Sequence, residues 1–245
     1  MKNIWSPVNE INSETNNIRE WSSKQILEYG LKELISVKNA IEKVIPECEK
    51  VADIIIKRFK EHGRVITVGA GGSGVAGMSV MRELPQNHRD INPDQFFYKV
   101  AGGVEIFNPL GCEELEDSFE RGFKDMKDLD LNKKDVILLI SASGRTPYIL
   151  GASESAKKNL AYTVGVLCQE SELSEKVDLP IFIDVGPEIL LGATCEKAAT
   201  AQKHILDMIM NVVVVRLGLT DKNICRARLV HEKAKIRDRF FTNKN

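Results

Sequence analysis

A run of hydroxyl side chains, SASGRTPY at residues 141–148, is the segment of this sequence best suited to bind a ligand. Ser141, Ser143 and Thr146 supply hydroxyl donors, and Arg145 adds a positive charge. The run ends an apolar strand and opens a helix, so the first helical amides point at the same place as the hydroxyls. Because such a helix start binds phosphate monoesters well, we predict a phosphate site here, which includes Gly144.

Simple helix capping is the alternative interpretation of the same residues. Thr146 would be the N-cap and Pro147 the first helical residue, a common arrangement. Capping and phosphate binding are compatible, and a second loop of glycine and serine lies one strand-helix unit upstream. That second loop favours phosphate binding.

The upstream loop reads GAGGSG at residues 69–74 and matches the dinucleotide fingerprint GxGxxG. A dinucleotide fold also places an acidic residue near the end of the second strand, about 20 residues on. Here that strand reads FFYKVAGGV, and the first acid after it is Glu105. We therefore do not expect a nicotinamide cofactor here, and we predict that Gly71, Gly72 and Ser73 belong to the same phosphate site as the downstream loop.

The elements around these loops alternate between short apolar runs and helical stretches. Five runs predict buried parallel strands: RVITVG, FFYKVAGG, DVILLISAS, YTVGVLC and LPIFIDVG. Helical composition fills 73–84, 113–127, 146–159, 171–177 and about 196–217, and two amphipathic helices precede the first strand. The pattern predicts a doubly wound α/β sheet with ligands at the carboxyl ends of its strands.

Composition limits the classes of function. A chain of 245 residues with 43% hydrophobic content suits one large domain, and a net charge of −1 gives no general attraction to nucleic acid or membranes. The five cysteines show no CxxC pair, and no apolar run reaches the ~18 residues of a membrane span. We expect reduced thiols and a cytoplasmic location.

The chain divides into three predicted segments. Residues 1–22 are polar and predict an irregular arm, 23–218 carry the α/β domain with its N-terminal helices, and 219–245 predict a basic helical tail. This tail is either a solvated helix or a surface that packs on a partner subunit.

With these motifs assembled, the chain resembles the sugar isomerase (SIS) family, and within it the N-acetylmuramic acid 6-phosphate etherases and the regulatory protein of glucokinase. The resemblance covers about residues 13 to 235 through SETNN, GRVITVGAGGSG, SASGRTPYILGA, GPEILLGAT and TAQKHILDMI. It implies a five-stranded parallel αβα sandwich of flavodoxin-like type and a homodimer whose active site lies at the subunit interface. It also implies phosphate contacts from Ser141, Ser143 and Thr146, a sugar contact from Ser73, and a binding role for Glu188 in the GPE string.

The etherase resemblance implies two catalytic carboxylates, Glu83 and Glu116, and neither a metal nor an organic cofactor. Etherases cleave the D-lactyl ether at C3 of the sugar phosphate. One carboxylate removes the C2 proton beside the open-chain aldehyde, the lactyl group leaves with help from an acid, and water adds to the unsaturated aldehyde. Glu113 or Glu114 would replace Glu116 after a small register slip.

The sequence departs from the etherase pattern at several positions, which leaves two other functions open. Gly72, Val75 and Cys195 stand where threonine and two arginines are usual. Glu83, ten residues after Ser73, also resembles the base of phosphoheptose isomerases, which use a histidine on the last helix, near His204. A sugar-phosphate sensor without catalysis is the second alternative.

Overall fold

Five parallel strands form one sheet in the order β2-β1-β3-β4-β5 in the computed structural model, which describes residues 10–107, 113–226, 232, 234–236 and 239. Each predicted apolar run forms one strand of this sheet. The strands are β1 (Val65–Gly69), β2 (Phe96–Val100), β3 (Val136–Ser141), β4 (Tyr162–Leu167) and β5 (Leu179–Phe182). All residues of β1 and β3 are buried, because helices cover both faces of the sheet at its centre.

Seven helices accompany the sheet in the described residues. They are α1 (Ser23–Lys43), α2 (Ile45–Lys60), α3 (Gly71–Asn87), α4 (Glu113–Glu116), α5 (Phe119–Lys127), α6 (Pro147–Lys158) and α7 (Lys197–Arg216). One hydrophobic core joins the sheet to α2, α3, α7 and the end of α1, and a second core joins the other face to α5 and α6. These layers confirm the predicted three-layer αβα sandwich.

The strand order creates a crevice between β1 and β3. Strand β1 pairs with β2 on one side and with β3 on the other, so the chain leaves the two central strands in opposite directions across the sheet. Ligands of doubly wound sheets bind at such a switch point, outside the carboxyl ends of the strands. Both glycine- and serine-rich loops therefore meet at one place.

The predicted helix over 113–127 is two helices, and the break between them matters for the site. Helix α4 ends at Glu116, and Ser118 then caps α5 by accepting a hydrogen bond from the Arg121 amide at 3.2 Å. Serine at an N-cap stabilises a new helix start. As a result, Glu116 is the last residue of α4 and lies beside the loops after β1 and β3.

The helix predicted over 171–177 was wrong, because this segment forms turns. The Ser174 hydroxyl accepts a hydrogen bond from the Ser171 amide and donates one to the Ser171 carbonyl. Such local bonds between side chain and backbone compete with helix formation.

The C-terminal tail begins with a hairpin instead of the predicted helix. Strands β6 (Thr220–Asp221) and β7 (Ile224–Cys225) pair antiparallel around a turn in which Lys222 has φ 54°. Arg226 then pairs with Asp90 at 3.2 Å. Most of the tail beyond this point lies outside the described residues, so its predicted helix and its partner contact stay predictions.

The predicted segment boundaries agree with element ends but stay predictions as domain limits. Helix α1 starts at Ser23 and α7 ends at Arg216. Within the described residues, no helix combines the length and apolar character that a membrane crossing requires.

Candidate functional site

A polar cavity of about 290 Å³ opens at the carboxyl ends of β1 and β3. It is enclosed by the loop after β1, the loop after β3, the end of α4 and the loop before α7. Its lining residues are Ala70, Gly71, Gly72, Ser73, Glu116, Ile140, Ser141, Ala142, Ser143, Thr146, Gly192 and Thr194. The cavity therefore contains most of the predicted ligand-binding residues.

The loop after β3 brings two hydroxyls together. Ser141 Oγ lies 3.3 Å from Thr146 Oγ1 and accepts a hydrogen bond from the Gly144 amide at 3.0 Å. Ser143 Oγ accepts a hydrogen bond from the Arg145 amide at 3.3 Å. These bonds fix the loop in a tight turn over the start of α6.

Glycine is required at position 144 for both conformational and steric reasons. Gly144 has φ +63°, and a β-carbon there would lie 1.9 Å from Ser171 Oγ. A side chain would strain the backbone and collide with the turn that replaces the predicted helix. Gly144 thus shapes the loop, although neither it nor Arg145 is among the residues that line the cavity.

Thr146 is the N-cap residue of α6, and Pro147 is its first helical residue, as predicted. The Thr146 hydroxyl does not accept a hydrogen bond from a backbone amide of the helix. It faces Ser141 in the cavity wall instead. The hydroxyl is therefore placed for a ligand at the positive end of the α6 dipole.

The loop after β1 is anchored to α7. Ser73 Oγ donates a hydrogen bond to Gln202 Oε1 at 2.8 Å, and Gln202 Nε2 lies 3.4 Å from the Val166 carbonyl oxygen. Gln202 is fully buried. This connection ties the start of α3 to α7 and to strand β4.

Glu116 reaches the cavity across Gly71. Its Oε1 lies 3.2 Å from the point that a β-carbon on Gly71 would occupy, and Gly71 has φ +50°. Glu114 is exposed to solvent, and the side chain of Glu113 lies outside the described residues. Of the two acids here whose side chains the structure describes, Glu114 and Glu116, it is Glu116 that lines the cavity.

Glu188 is buried completely and caps helix α7. Its two carboxylate oxygens accept hydrogen bonds from the amides of Lys197 at 2.9 Å and Ala198 at 3.0 Å. Burial raises the pKa of Glu188, and the two amides oppose that shift. Its carboxylate acts on the protein backbone and is not part of the cavity wall, so its predicted ligand contact stays a prediction.

Lys197 fixes the loop that precedes α7. It is 4% exposed, forms an ion pair with Glu33 of α1 and donates a hydrogen bond to the Pro187 carbonyl at 3.0 Å. Thr15 in the N-terminal arm donates a hydrogen bond to the Ile189 carbonyl at 3.0 Å. These bonds hold the 187–196 segment, which supplies Gly192 and Thr194 to the cavity.

Glu83 and His204 do not line the cavity. Glu83 is exposed near the end of α3. His204 is exposed on α7 and borders a separate groove between α3 and α7. The three departures Gly72, Val75 and Cys195 all line that groove as well.

Sequence reasoning missed Gln202, Gly192 and Thr194. Gly192 and Thr194 belong to the GPEILLGAT string, and Gln202 to TAQK, but no local rule assigns these residues to a cavity. Their contacts depend on the packing of α7 beside α3. In the described residues, no cluster of three histidine, cysteine or acidic side chains could hold a metal ion.

Solved structures share this architecture. A phosphoheptose isomerase from Francisella tularensis aligns with a TM-score of 0.60 and 16% identity, covering 79% of this chain and 98% of that one. A phosphoheptose isomerase from Neisseria gonorrhoeae aligns with a TM-score of 0.55 and 14% identity, covering 77% and 98%. Residues 47–157 match the glucokinase regulatory protein N-terminal SIS domain family. The fold is therefore that of a SIS protein.

The sequence relatives define the family more closely. The N-acetylmuramic acid 6-phosphate etherase of Bacillus subtilis (strain 168) is 38% identical over 214 residues, which are 87% of this chain and 70% of that protein. The etherase of Caldanaerobacter subterraneus subsp. tengcongensis is 38% identical over 229 residues, or 93% and 74%. This chain belongs to the N-acetylmuramic acid 6-phosphate etherase family.

Proposed function

We propose that this protein cleaves the D-lactyl ether of N-acetylmuramic acid 6-phosphate, giving N-acetylglucosamine 6-phosphate and D-lactate. The observation that carries the proposal is a single cavity that combines a hydroxyl-lined helix start with the carboxylate of Glu116. The first feature suits a phosphate monoester, and the second suits proton transfer on the attached sugar.

The phosphate binds between Ser141, Thr146 and the first turn of α6. In the structure one of the two hydroxyls donates to the other, and both can rotate to donate to phosphate oxygens, since neither is used to cap the helix. The helix dipole adds a favourable interaction with the dianion. The 6-phosphate anchors the open-chain sugar so that its other end points toward the loop after β1 and toward Glu116.

The reaction is an elimination followed by hydration. A carboxylate removes the C2 proton, the electron pair forms the C2–C3 double bond, and the lactyl oxygen leaves C3 as it receives a proton. Water then adds to C3 and a proton returns to C2, so the overall reaction consumes one water molecule. Glu116 acts in one of these proton transfers from its place beside Gly71.

Glu83 acts on the site of a second subunit in this proposal. It lies twelve residues beyond Gly71 on α3, and a rise of about 1.5 Å per residue places it about 18 Å from the cavity end of the helix. A hexose phosphate bound in the cavity does not span that distance. A homodimer in which α3 of one subunit approaches the cavity of the other brings the two carboxylates together.

The surface of α1 supports the formation of a dimer. Leu27 is 74% exposed and Leu31 is 69% exposed, and Leu34 and Ile35 continue the same apolar stripe. A stripe of this kind on one helix face is typical of a subunit interface. Only Val37, Ala40 and Ile41 of α1 are buried within the subunit.

The two alternative functions have less support. An isomerase would bring His204 into the cavity, whereas His204 borders the α3–α7 groove. A sensor needs no carboxylate, whereas Glu116 lines the cavity. We also propose a cytoplasmic location, because the four described cysteines are unpaired.

The reaction is tested with N-acetylmuramic acid 6-phosphate in heavy-oxygen water. We expect D-lactate release with the isotope at C3 by mass spectrometry, and loss of both in Glu116→Gln. If sugar phosphates raise the melting temperature but release no lactate, the protein binds the ligand without this chemistry and the proposal is wrong.

The shared site is tested by mixing Glu83→Gln and Glu116→Gln subunits through coexpression. If Glu83 acts across the interface, each mixed dimer has one intact site. Random pairing then restores about a quarter of wild-type activity, since about half of the dimers are mixed. If both carboxylates act within one subunit, every site keeps one substitution and no activity returns.

A further inference from the structure

A second cavity lies beside the first and is not used by the proposed phosphate contacts. It is a groove of about 570 Å³ between α3 and α7. Its apolar part is formed by Gly72, Val75, Ala76, Cys195 and Ala199, and its polar part by Ser79, Thr200, Lys203, His204 and Asp207.

The groove adjoins the phosphate cavity. Gly72 lines both, and the consecutive residues Thr194 and Cys195 line the cavity and the groove respectively. A β-carbon on Gly72 would lie 3.1 Å from the β-carbon of Cys195 and 3.7 Å from that of Ala199. Because Gly72 has no side chain, Cys195 and Ala199 pack close to its backbone, and the two spaces lie directly next to each other at this residue.

The chemistry of the groove suits an uncharged group. Most of its lining surface is apolar, and the Ser79 hydroxyl donates to the Ala76 carbonyl of its own helix at 2.8 Å. Lys203 is paired with Asp207 in the polar part at 2.6 Å. An anionic substituent would thus meet a cation whose charge is already balanced, whereas a methyl group would find apolar contacts.

We propose that the α3–α7 groove binds the neutral acyl substituent of an amino-sugar phosphate, which is the acetamido group at C2 in the proposed substrate. This inference rests on the proposed function. Gly72 lies on the opposite loop of the cavity from Ser141 and Thr146, and C2 lies at the opposite end of the sugar from the 6-phosphate. The acetamido group then lies over the backbone of Gly72, with its methyl against Val75 and Ala199 of the adjoining groove.

The subsite is tested by calorimetric titration with ligands that are not turned over. N-acetylglucosamine 6-phosphate should bind at least about tenfold more tightly than glucose 6-phosphate, because one methyl-sized group in an apolar pocket is worth that much. Ala199→Leu fills the groove and should reduce the ratio to about twofold or less. Its affinity for inorganic phosphate should not change, which also shows that the variant is folded.

Two further variants make the test specific. Val212→Leu enlarges an exposed side chain of α7 away from the groove and should leave the ratio unchanged. Lys203→Ala should also leave it unchanged, because a neutral group does not need the cation. An equal affinity for the two sugars in the wild type, or a ratio that Lys203→Ala abolishes and Ala199→Leu does not, would overturn the subsite.

The subsite and the etherase reaction fail in different ways. Preference for the acetylated sugar without lactate release supports the subsite and contradicts the reaction. Lactate release from N-acetylmuramic acid 6-phosphate without this preference supports the reaction and contradicts the subsite.

Discussion

The carboxylate of Glu116 lies against the backbone of Gly71, with Oε1 3.2 Å from the point where a β-carbon would stand. The two residues are far apart in the chain, one at the end of α4 and the other at the start of α3. Their contact brings an acid to the loop that receives the sugar. Glycine at position 71 leaves room for the carboxylate and also permits the φ of +50°.

Gly71→Ala should therefore reduce catalysis more than stability. The new methyl group displaces Glu116, and a misplaced catalytic group costs about tenfold to a hundredfold in rate. Gly218→Ala is the matched control, because Gly218 has φ +69° and no atom within 4 Å of an added β-carbon. Both variants should lose about 1–2 kcal/mol of unfolding free energy in urea. Equal rates of lactate release in the two variants would contradict the role given to this contact.

Thr146→Val should weaken phosphate binding without destabilising α6. The hydroxyl makes no capping bond, so its loss costs the helix little. A hydrogen bond to a charged phosphate is worth about 1.5 kcal/mol or more, which corresponds to about tenfold in the dissociation constant of N-acetylglucosamine 6-phosphate. Ser155→Ala on the same helix removes a buried hydroxyl that has no hydrogen-bond partner, and titration should show no change.

Lys197→Met should destabilise the fold strongly, because Lys197 is buried and its loss leaves Glu33 of α1 without its cation. Breaking a buried ion pair costs about 3 kcal/mol or more of unfolding free energy. Lys203→Met removes an exposed pair of the same helix, with Asp207, and should cost under about 1 kcal/mol. Urea titrations followed by circular dichroism measure the unfolding free energy of both variants. Similar losses in the two would contradict the structural role of the buried pair between Lys197 and Glu33.

Replacing Leu31 and Leu34 by Glu should convert the proposed dimer into monomers. Charges on this exposed apolar stripe cannot be buried in an interface without a large cost. Light scattering after size exclusion measures the mass, and lactate release should fall with it if Glu83 acts across the interface. Asn39→Glu introduces the same charge at an exposed polar position of α1 and should leave the mass unchanged. A double variant that stays dimeric would show that this face of α1 is not the subunit interface.

The cysteines should differ sharply in reactivity. Burial raises the pKa of Cys48 to about 11 and that of Cys168 to about 12, so almost no thiolate exists at these positions near neutral pH. Cys195 and Cys225 are exposed. Iodoacetamide should modify Cys195 and Cys225 in the native protein, and Cys48 and Cys168 only after unfolding in urea, as read by peptide mass spectrometry. Native labelling of Cys168 would contradict its burial.

The same labelling reports on the groove. Cys195 lines it, whereas Cys225 lies in the C-terminal hairpin and serves as an internal control. N-acetylglucosamine 6-phosphate should slow the modification of Cys195 only. Glucose 6-phosphate should protect it less, because it has no acyl group to fill the groove.

Local patterns in the sequence were sufficient to predict the α/β class and the five strands of the sheet. The runs that became β1 and β3 are continuously apolar, which is possible only where both faces of a sheet are covered. The conformation of the SASGRTPY loop could also be predicted. Gly144, Thr146 and Pro147 specify a tight turn and a helix start through their own backbone preferences. Both features depend on residues that are close in the chain.

The sequence by itself determined the succession of apolar runs, the helix starts and the hydroxyl-lined loop. Only the tertiary structure decided that Glu116 faces the cavity, that Glu188 caps α7, and that Gly72 borders both the cavity and the groove. Periodicity records whether a residue is buried, whereas contacts such as Glu116 with Gly71 join segments whose distance in space depends on the whole path of the chain.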